Sequence, residues 1–403
     1  MLMTKMPAEA DDGGYAAQEK FLRKAGPAKD IAEALSPVNL SIDDLVYENS
    51  RTVKWAGNKP AGLADVLEVG KEVPIVSFFT GCGGMDLGFE AAGFSHVAAF
   101  EFNEIFCKTL RLNRPDWKIF GPPFHSGDVS KHTEIVEALA PLITAPFEGV
   151  FVGGPPCQPF SIAANQRFSK SGENFKRVGF DHEKNGNLLF DFVNLIVEFR
   201  PAAFVIENVP GLRDLDGGKQ LSIAIKMLEK AGYTVAEPNV YDAADYGVPQ
   251  YRHRMFVVGS RLQGNFSMPA KTAHVGSGSV LSVLPPSNAF NHDTRNHKVE
   301  SITRYMRLNY GQRDQLGRVD RLDPTRPSKT VIAGGTNGGG RSHLHPEIPR
   351  TLSVRECARL QTFPDNYKFV GPTARQFTQV GNAVPPVLGA ALAIQVAKAY
   401  FSR

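Results

Sequence analysis

Four cysteines in 403 residues (Cys82, Cys107, Cys157 and Cys357) are too few and too scattered for a disulfide framework. None forms a C-x-x-C pair, so no zinc site is indicated and metal binding is not expected. That usage fits a reducing, cytoplasmic compartment. No apolar run approaches the roughly 18 residues needed to span a bilayer, and the polar N-terminus lacks a signal-peptide core. Internal repeats are absent. The net charge is only +4, which by itself points to no polyanionic partner. The dinucleotide fingerprint G-x-G-x-x-G is not cleanly matched either. What remains is a chain long enough for one large domain and a smaller one.

The pattern along the chain is uneven. Residues 1–72 form an N-terminal arm, rich in Ala, Gly, Asp and Lys up to about Asp30 and expected to be partly disordered. From residue 73 to 260 short apolar strands alternate with helical stretches. Strands are expected at Ile75–Phe79, His96–Phe100, Gly149–Val152, Ala203–Ile206 and Arg254–Val258, with a further strand-like turn at Ser126–Val129. Alternation of this kind implies an α/β fold with a doubly wound, mostly parallel sheet. Residues 261–320 shift to Gly, Ser, Pro and Asn and are expected to form a second, smaller domain. That window carries eight Lys and Arg against four acids (Asp293, Glu300, Asp314 and Asp320). Residues 321–403 are expected to return to the first domain.

The chemistry centres on Gly153-Gly154-Pro155-Pro156-Cys157-Gln158-Pro159-Phe160-Ser161. A strand that ends in Gly-Gly-Pro-Pro must turn rigidly, which displays Cys157 at a strand's carboxyl end, where open α/β sheets place ligands. Cys157 is therefore the candidate nucleophile. Glu207 closes the next strand. A carboxylate would raise a neighbouring thiol's pKa, so its use is to hold or protonate a substrate ring nitrogen. Arg252 and Arg254 begin the last strand and supply forked donors and a positive field that favours thiolate. Gly81-Cys82-Gly83-Gly84 lets backbone approach a ligand at a helix N-terminus, although tight packing alone also calls for glycine there. Glu101 ends the second strand, where a carboxylate grips ribose hydroxyls, and Asp128 follows at the next turn. Together these three suggest an adenosine-type cofactor.

The ordered series Phe78 to Gly84, Gly127-Asp128, Gly154 to Ser161, Glu207-Asn208-Val209, Gln250-Tyr251-Arg252-His253-Arg254 and Gly381-Asn382-Ala383-Val384-Pro385 resembles the DNA (cytosine-5)-methyltransferase family, of bacterial restriction–modification type. The resemblance runs from about Val73 to Phe401. It implies a Rossmann-like, S-adenosyl-L-methionine-dependent enzyme in which Cys157 attacks carbon 6 of a flipped cytosine and carbon 5 takes the methyl group. Glu207 would contact ring nitrogen 3 and the amino group, Arg254 the carbonyl, and Arg252 would support the pocket. The cofactor pocket would be lined by Phe79, Gly81, Gly83, Glu101, Phe102, Asp128, Val129, Pro156, Leu188, Asn382 and Ala383. Ser77 departs from the acid that many members carry at that point.

Flipping is required because a thiolate cannot reach carbon 6 inside stacked duplex. The loop after the nucleophile, from Gln158 to Lys184, is expected to close over the substrate, with DNA contacts at Gln158, Ser161, Arg167, Lys170 and Arg177. Region 261–320 corresponds to the family's target-recognition domain; Arg304, Arg307 and Arg313 are its candidate DNA contacts, with Thr330 just beyond. The implied partner is double-stranded DNA, bound by a monomer in the bacterial cytoplasm at the nucleoid, with a cognate restriction endonuclease acting separately. A tRNA cytosine-5 methyltransferase of the same fold is the alternative, and it would keep Cys157 and Glu207.

Overall fold

A computed structural model of the chain describes residues 12–49, 57, 60–156, 188–333 and 342–402. These fall into two compact units. One comprises Ala61–Tyr246, Arg252–Thr272 and Ala383–Arg403, and the other Met1–Pro60, Gly247–Tyr251 and Ala273–Asn382.

The first unit is built on a sheet whose apolar strands are covered on both faces. Its strands are β1 (Pro74–Phe78), β2 (Ser95–Phe100), β3 (Ile119–Phe120), β4 (Val150–Gly153), β5 (Ala203–Asn208), β6 (Thr234–Val235), β7 (Asn239–Asp242) and β8 (His253–Ser260). The order is β3-β2-β1-β4-β5-β8-β6, and β7 also pairs with β8. Strands β3 to β5 along that path are parallel, whereas β8 runs antiparallel to β5, β6 and β7. The chain departs in opposite directions from β1 and β4, so the crevice at their carboxyl ends is the switch point where such sheets bind ligands. Continuous runs such as Val150-Phe151-Val152 are fully buried, as a doubly covered parallel sheet demands. Helices Leu188–Phe199 and Lys219–Lys230 bury Phe192, Ile196, Ala224 and Leu228 in the same core as Phe78, Phe151 and Phe204. The last helix, Pro386–Tyr400, packs on helix Gly84–Ala91 at glycine contacts. A Cβ on Gly88 would lie 2.3 Å from the Ala390 nitrogen. The stretch Thr373–Tyr400 is apolar enough by composition to cross a membrane, but 72% of its most apolar 18-residue window is buried inside the protein, as in a core helix.

The second unit differs from what the sequence suggests. Asp12–Ala25 is a 14-residue helix. Together with Ile31–Leu35 it buries Leu22, Ile31, Ala34, Leu35 and Leu45 against Val299, Ile302, Tyr305, Met306, Val319 and Leu344. The signal was there: Tyr15, Gln18, Leu22 and Ala25 recur at helical spacing, diluted by Ala, Gly and Lys between them. The unit also holds a small sheet of β9 (Arg313–Asp314), β10 (Val319–Arg321) and β11 (His343–Leu344). The grouping thus departs from divisions at 72, 260 and 320. Residues 261–272 stay with the sheet unit, where Lys271 pairs with Asp245 at 2.8 Å and the Thr272 N–H donates to the Asp245 carbonyl at 2.8 Å. Residues 321–382 stay with the second unit through the buried Arg350–Glu356 pair and the three-stranded sheet. One strand is also displaced. Ser126–Val129 forms no strand, and the edge position beside β2 is taken by Ile119–Phe120.

Candidate active site

Parallel pairing sets Gly153 on β4 opposite Ile206 on β5, so the next residues along, Gly154 and Glu207, meet at the carboxyl ends. A Cβ on Gly154 would lie 2.7 Å from Glu207 Oε2, so only glycine leaves that carboxylate its place. Across β5, Glu207 is opposite Phe256 on antiparallel β8. Side chains alternate along a strand, so Arg254 shares the face of Phe256 and is the diagonal neighbour of Glu207. The Arg254 Nε lies 2.7 Å from Glu207 Oε1, with the two side chains only 12% and 15% exposed. Arg252, a further two residues back, is buried; its N–H donates to Asp242 Oδ1 at 2.8 Å and its carbonyl accepts from the Ala243 N–H at 2.9 Å.

Burial pushes the Glu207 carboxyl above its ordinary range, against the pull of Arg254 and Arg252. Burial likewise lowers both guanidiniums, with Glu207 opposing the shift and Arg254 adding to it at Arg252. A largely buried acid whose pKa burial pushes upward, beside two guanidiniums, can hydrogen-bond or protonate a ring nitrogen while a carbonyl is bound next to it. Asn208, for which the sequence suggested no role, donates from Nδ2 to the Pro155 carbonyl at 3.1 Å and so ties the Pro-Pro turn to β5. An Asn directly after the strand-end Glu was the available signal. Pro156 is exposed at the end of this turn. Cys157, Gln158, Ser161, Arg167, Lys170 and Arg177 lie outside the described residues.

A second cluster gathers at the ends of β1 and β2. Phe79, at φ 52°, and Gly81 and Gly83, at φ 62° and 81°, take left-handed conformations, so the loop folds tightly into helix Gly84–Ala91. Glu101 is buried, and its two oxygens accept from the Gly81 N–H at 2.7 Å and the Asn103 N–H at 2.6 Å. Burial outweighs those bonds and raises its pKa to about 7. Each oxygen keeps a further lone pair for a ligand hydroxyl. Phe102 beside it is a large apolar ring left 68% exposed. Asp128 uses Oδ1 to accept from the Ser130 N–H at 3.0 Å and hydroxyl at 2.7 Å, while Val129 is buried and Leu188 half-buried. Ser77, at the departure noted above, is buried with its hydroxyl 3.0 Å from that of Thr80. The paired carboxylates, exposed ring and glycine turn fit an adenosyl group. Ala383 groups with this unit, and Asn382 with the other.

The candidate DNA arginines have protein partners. Arg304 Nε is 3.2 Å from Asp314 Oδ1, Arg307 Nη2 is 2.5 Å from Glu19 Oε1, and Arg313 Nη1 is 2.9 Å from Asp320 Oδ2. Thr330 donates to the Tyr251 carbonyl at 2.7 Å.

Comparison with known proteins accords with this arrangement. The profile of the C-5 cytosine-specific DNA methylase family matches residues 73–398. The Type II methyltransferase M.NgoFVII of Neisseria gonorrhoeae is 34% identical over 340 residues, covering 77% of this chain and 83% of its own. M.PspPI of Psychrobacter sp. is 31% identical over 354 residues, covering 81% and 79%. Among solved structures, an Escherichia coli prophage chain described as a candidate DNA modification methyltransferase superposes with a TM-score of 0.66 at 23% identity, over 81% of this chain and 99% of that one. The Entamoeba histolytica methyltransferase EhMeth superposes at 0.56 with 15% identity, over 80% and 97%; both likenesses speak to the fold. The chain belongs to the C-5 cytosine-specific DNA methylase family. Its reaction is methyl transfer to carbon 5 of cytosine in DNA, and the arm before residue 73 lies outside the family match.

Proposed function

We propose that the enzyme methylates a flipped cytosine within a short duplex sequence, using S-adenosyl-L-methionine and a covalent adduct to Cys157. The observation that carries this reading is the Glu207–Arg254 pair at 2.7 Å against Gly154, three residues before that cysteine. The cofactor would supply a methyl group activated by a positively charged sulfur. Glu101 would bind its ribose hydroxyls, Phe102 would stack on its adenine and Asp128 would accept from the adenine amino group; Phe79, Gly81, Gly83, Val129, Pro156, Leu188 and Ala383 would line the pocket, and Asn382 is a further candidate contact.

Cys157 as thiolate adds to carbon 6 of the base. Glu207, whose pKa burial pushes upward, hydrogen-bonds ring nitrogen 3 and draws the displaced electron pair toward it. Arg254 binds the carbonyl oxygen, and Arg252 supplies buried positive charge behind it. Carbon 5 gains the methyl group, a base removes its proton, and the thiolate leaves as the 5,6 double bond re-forms. Gln158, Ser161, Arg167, Lys170, Arg177 and Thr330 would contact the DNA around the flipped base. The curated relatives are Type II methyltransferases. We infer the same setting here: a monomer acting on nucleoid DNA in the bacterial cytoplasm and protecting it from a separate restriction endonuclease. A duplex carrying 5-fluorocytosine at the target tests the mechanism. Wild-type protein should form a denaturation-resistant adduct and Cys157→Ala none; a wild-type protein that turns over without any adduct refutes the covalent route.

A further inference from the structure

The N-terminal arm is bound into the second unit by specific polar contacts as well as by its apolar face. Arg321, the last residue of β10, is fully buried, with Tyr47 of the arm on one side at 3.6 Å to the ring centroid and Tyr310 at 3.9 Å. Its Nε donates to the Pro346 carbonyl at 2.8 Å, and Nη1 to the Leu308 carbonyl at 2.6 Å and to Asn49 Oδ1 at 2.5 Å. One guanidinium therefore joins the arm to the segments entering β9 and leaving β11. Tyr47 is itself buried, and its hydroxyl donates to the His345 carbonyl at 2.8 Å. A second arm residue, Asp43, lies 2.5 Å from Nε of buried Arg350, whose other nitrogens reach both oxygens of Glu356 at 2.9 Å.

A second route runs through helix Val299–Tyr305, which shares its apolar core with the arm. Arg304 on that helix pairs with Asp314 on β9. Gly317, in the turn after β9, sits so close to Tyr305 that a Cβ there would lie 2.8 Å from the ring hydroxyl. The β9–β10 hairpin is thus gripped at its root by Tyr47 and Arg321 and at its turn by a helix the arm supports. What it presents is Gln315, Leu316 and Arg318, all exposed, with Leu316 at 75%. An amide, a guanidinium and an apolar wedge on a narrow hairpin are the groups that read adenine, read guanine and pry at a base step.

We propose that the arm, through Tyr47 and Asp43, is a positioning element for target recognition, holding the β9–β10 hairpin in the pose in which its tip reads duplex DNA. This rests on the methyltransferase reading above. It makes sequence choice depend on residues that precede the family match.

The test uses the full chain and reads the ratio of methylation at the target to methylation at one-base mismatches, the KM for DNA, and the Kd for S-adenosylmethionine. Tyr47→Leu keeps an apolar side chain and removes the ring and hydroxyl; Tyr47→Phe keeps the ring; Asp43→Asn removes only a charge. Expected is a roughly tenfold fall in the ratio and a rise in KM for Tyr47→Leu, a smaller change for the other two, and an unchanged Kd for the cofactor. Leu316→Ala and Arg318→Ala should also alter site preference. If the tip variants do so while folded Tyr47→Leu and Asp43→Asn keep the wild-type ratio, the arm has no positioning role. Tip variants that leave site preference intact overturn the hairpin's reading role and the proposal with it, whereas loss of all methylation by Cys157→Ala alone would still support the reaction. If Tyr47→Leu does not fold, Tyr47→Phe and Asp43→Asn carry the test. Should those two lose cofactor affinity in step with DNA discrimination, the arm is a general stabiliser and the proposal fails.

Discussion

Gly154→Ala isolates the geometry of the site from its chemistry, because it changes no reacting group. Gly154 does not lie in the left-handed region, so alanine meets no backbone strain there. Its methyl would arrive 2.7 Å from Glu207 Oε2, where ordinary contact needs at least about 3.4 Å. The carboxylate must retreat by roughly 0.7 Å, yet its other oxygen is held at 2.7 Å by Arg254 and its stem is fixed in β5. Either the pair rotates as a unit or the Pro155–Pro156 turn lifts. Both displace the acid from the base it is to protonate. Displacements near 1 Å at a reacting centre cost on the order of a hundredfold in rate, about 3 kcal/mol of barrier. We expect kcat for methyl transfer to fall by 30- to 300-fold (roughly, on that scaling), with thermal stability lowered by no more than about 1–3 kcal/mol. Single-turnover transfer from radiolabelled cofactor to target duplex, with calorimetry of cofactor binding as control, measures this. Wild-type kcat in a folded variant would refute the reasoning, since it would mean that the carboxylate's position against Gly154 is irrelevant to chemistry.

Other consequences follow from single groups. Cys157→Ala should abolish transfer while retaining cofactor affinity, which a parallel binding and activity assay checks. Glu101→Ala should weaken S-adenosylmethionine binding by about tenfold to a hundredfold, the loss of a charged hydrogen-bond partner, as read by calorimetry. Because burial raises the Glu101 pKa from 4.5 to about 7, its neutral form stabilises the fold fully below pH 4.5 and that contribution is lost as pH rises through about 7. The stability difference between wild type and Glu101→Gln should therefore change by roughly 3 kcal/mol across that window in denaturant titrations without cofactor. Glu356 behaves oppositely: burial pushes it up, but the hydrogen bonds of Arg350 hold it down at about 2, so its contribution is present above pH 4.5 and fades as pH falls toward 2. Arg350→Met should cost about 3–5 kcal/mol at neutral pH and remove that acid-side loss, measured by urea unfolding.

Much of this is legible in the sequence. Strand ends announce themselves where an apolar run meets Gly, Pro or an acid, and Gly153–Pro156, Glu207 and Glu101 all fall there. The alternation of elements then placed those ends along one edge of a parallel sheet. What stayed hidden depends on partners distant in sequence. Ser126–Val129 looked strand-like because Val129 is apolar, but its burial comes from the core beneath a loop, and the short strand Ile119–Phe120 has too few residues to show a period. The arm looked loose because its helix shows only a thin apolar stripe. A helix of that length is marginal alone, and its burial is supplied by Val299, Ile302 and Met306, far along the chain.

The basic window carries the sharpest lesson about reading charge from composition. Its excess of cations over acids suggested a polyanion, and several of its arginines were natural base readers. In the fold, Arg261 pairs with Glu148, Lys271 with Asp245, Lys298 with Asp30, Arg304 with Asp314, Arg307 with Glu19 and Arg313 with Asp320. Four of those acids (Glu148, Asp245, Asp30 and Glu19) come from outside the window, so no count within it could have found them. Where the basic partner reaches solvent, as in the Lys271–Asp245, Lys298–Asp30 and Arg307–Glu19 pairs, a phosphate can displace the carboxylate at little cost. Reading a base is more demanding, because the guanidinium must be aimed and held in the plane of guanine. Arg304, tied to Glu300 and Asp314, and Arg313, tied to Asp320 and the Arg318 carbonyl, are aimed at protein. Arg318, exposed beside Leu316 in the hairpin turn, has no acid partner among the described residues. Discrimination is therefore expected to fall on that turn, and the paired arginines to govern salt dependence. Arg307→Ala should weaken binding to all duplexes alike and flatten the salt slope, whereas Arg318→Ala should relax the choice at one base pair by about 1–3 kcal/mol. Methylation mapped across a genome for each variant separates the two. A relaxed target for Arg307→Ala, with Arg318→Ala unchanged, would reverse the assignment.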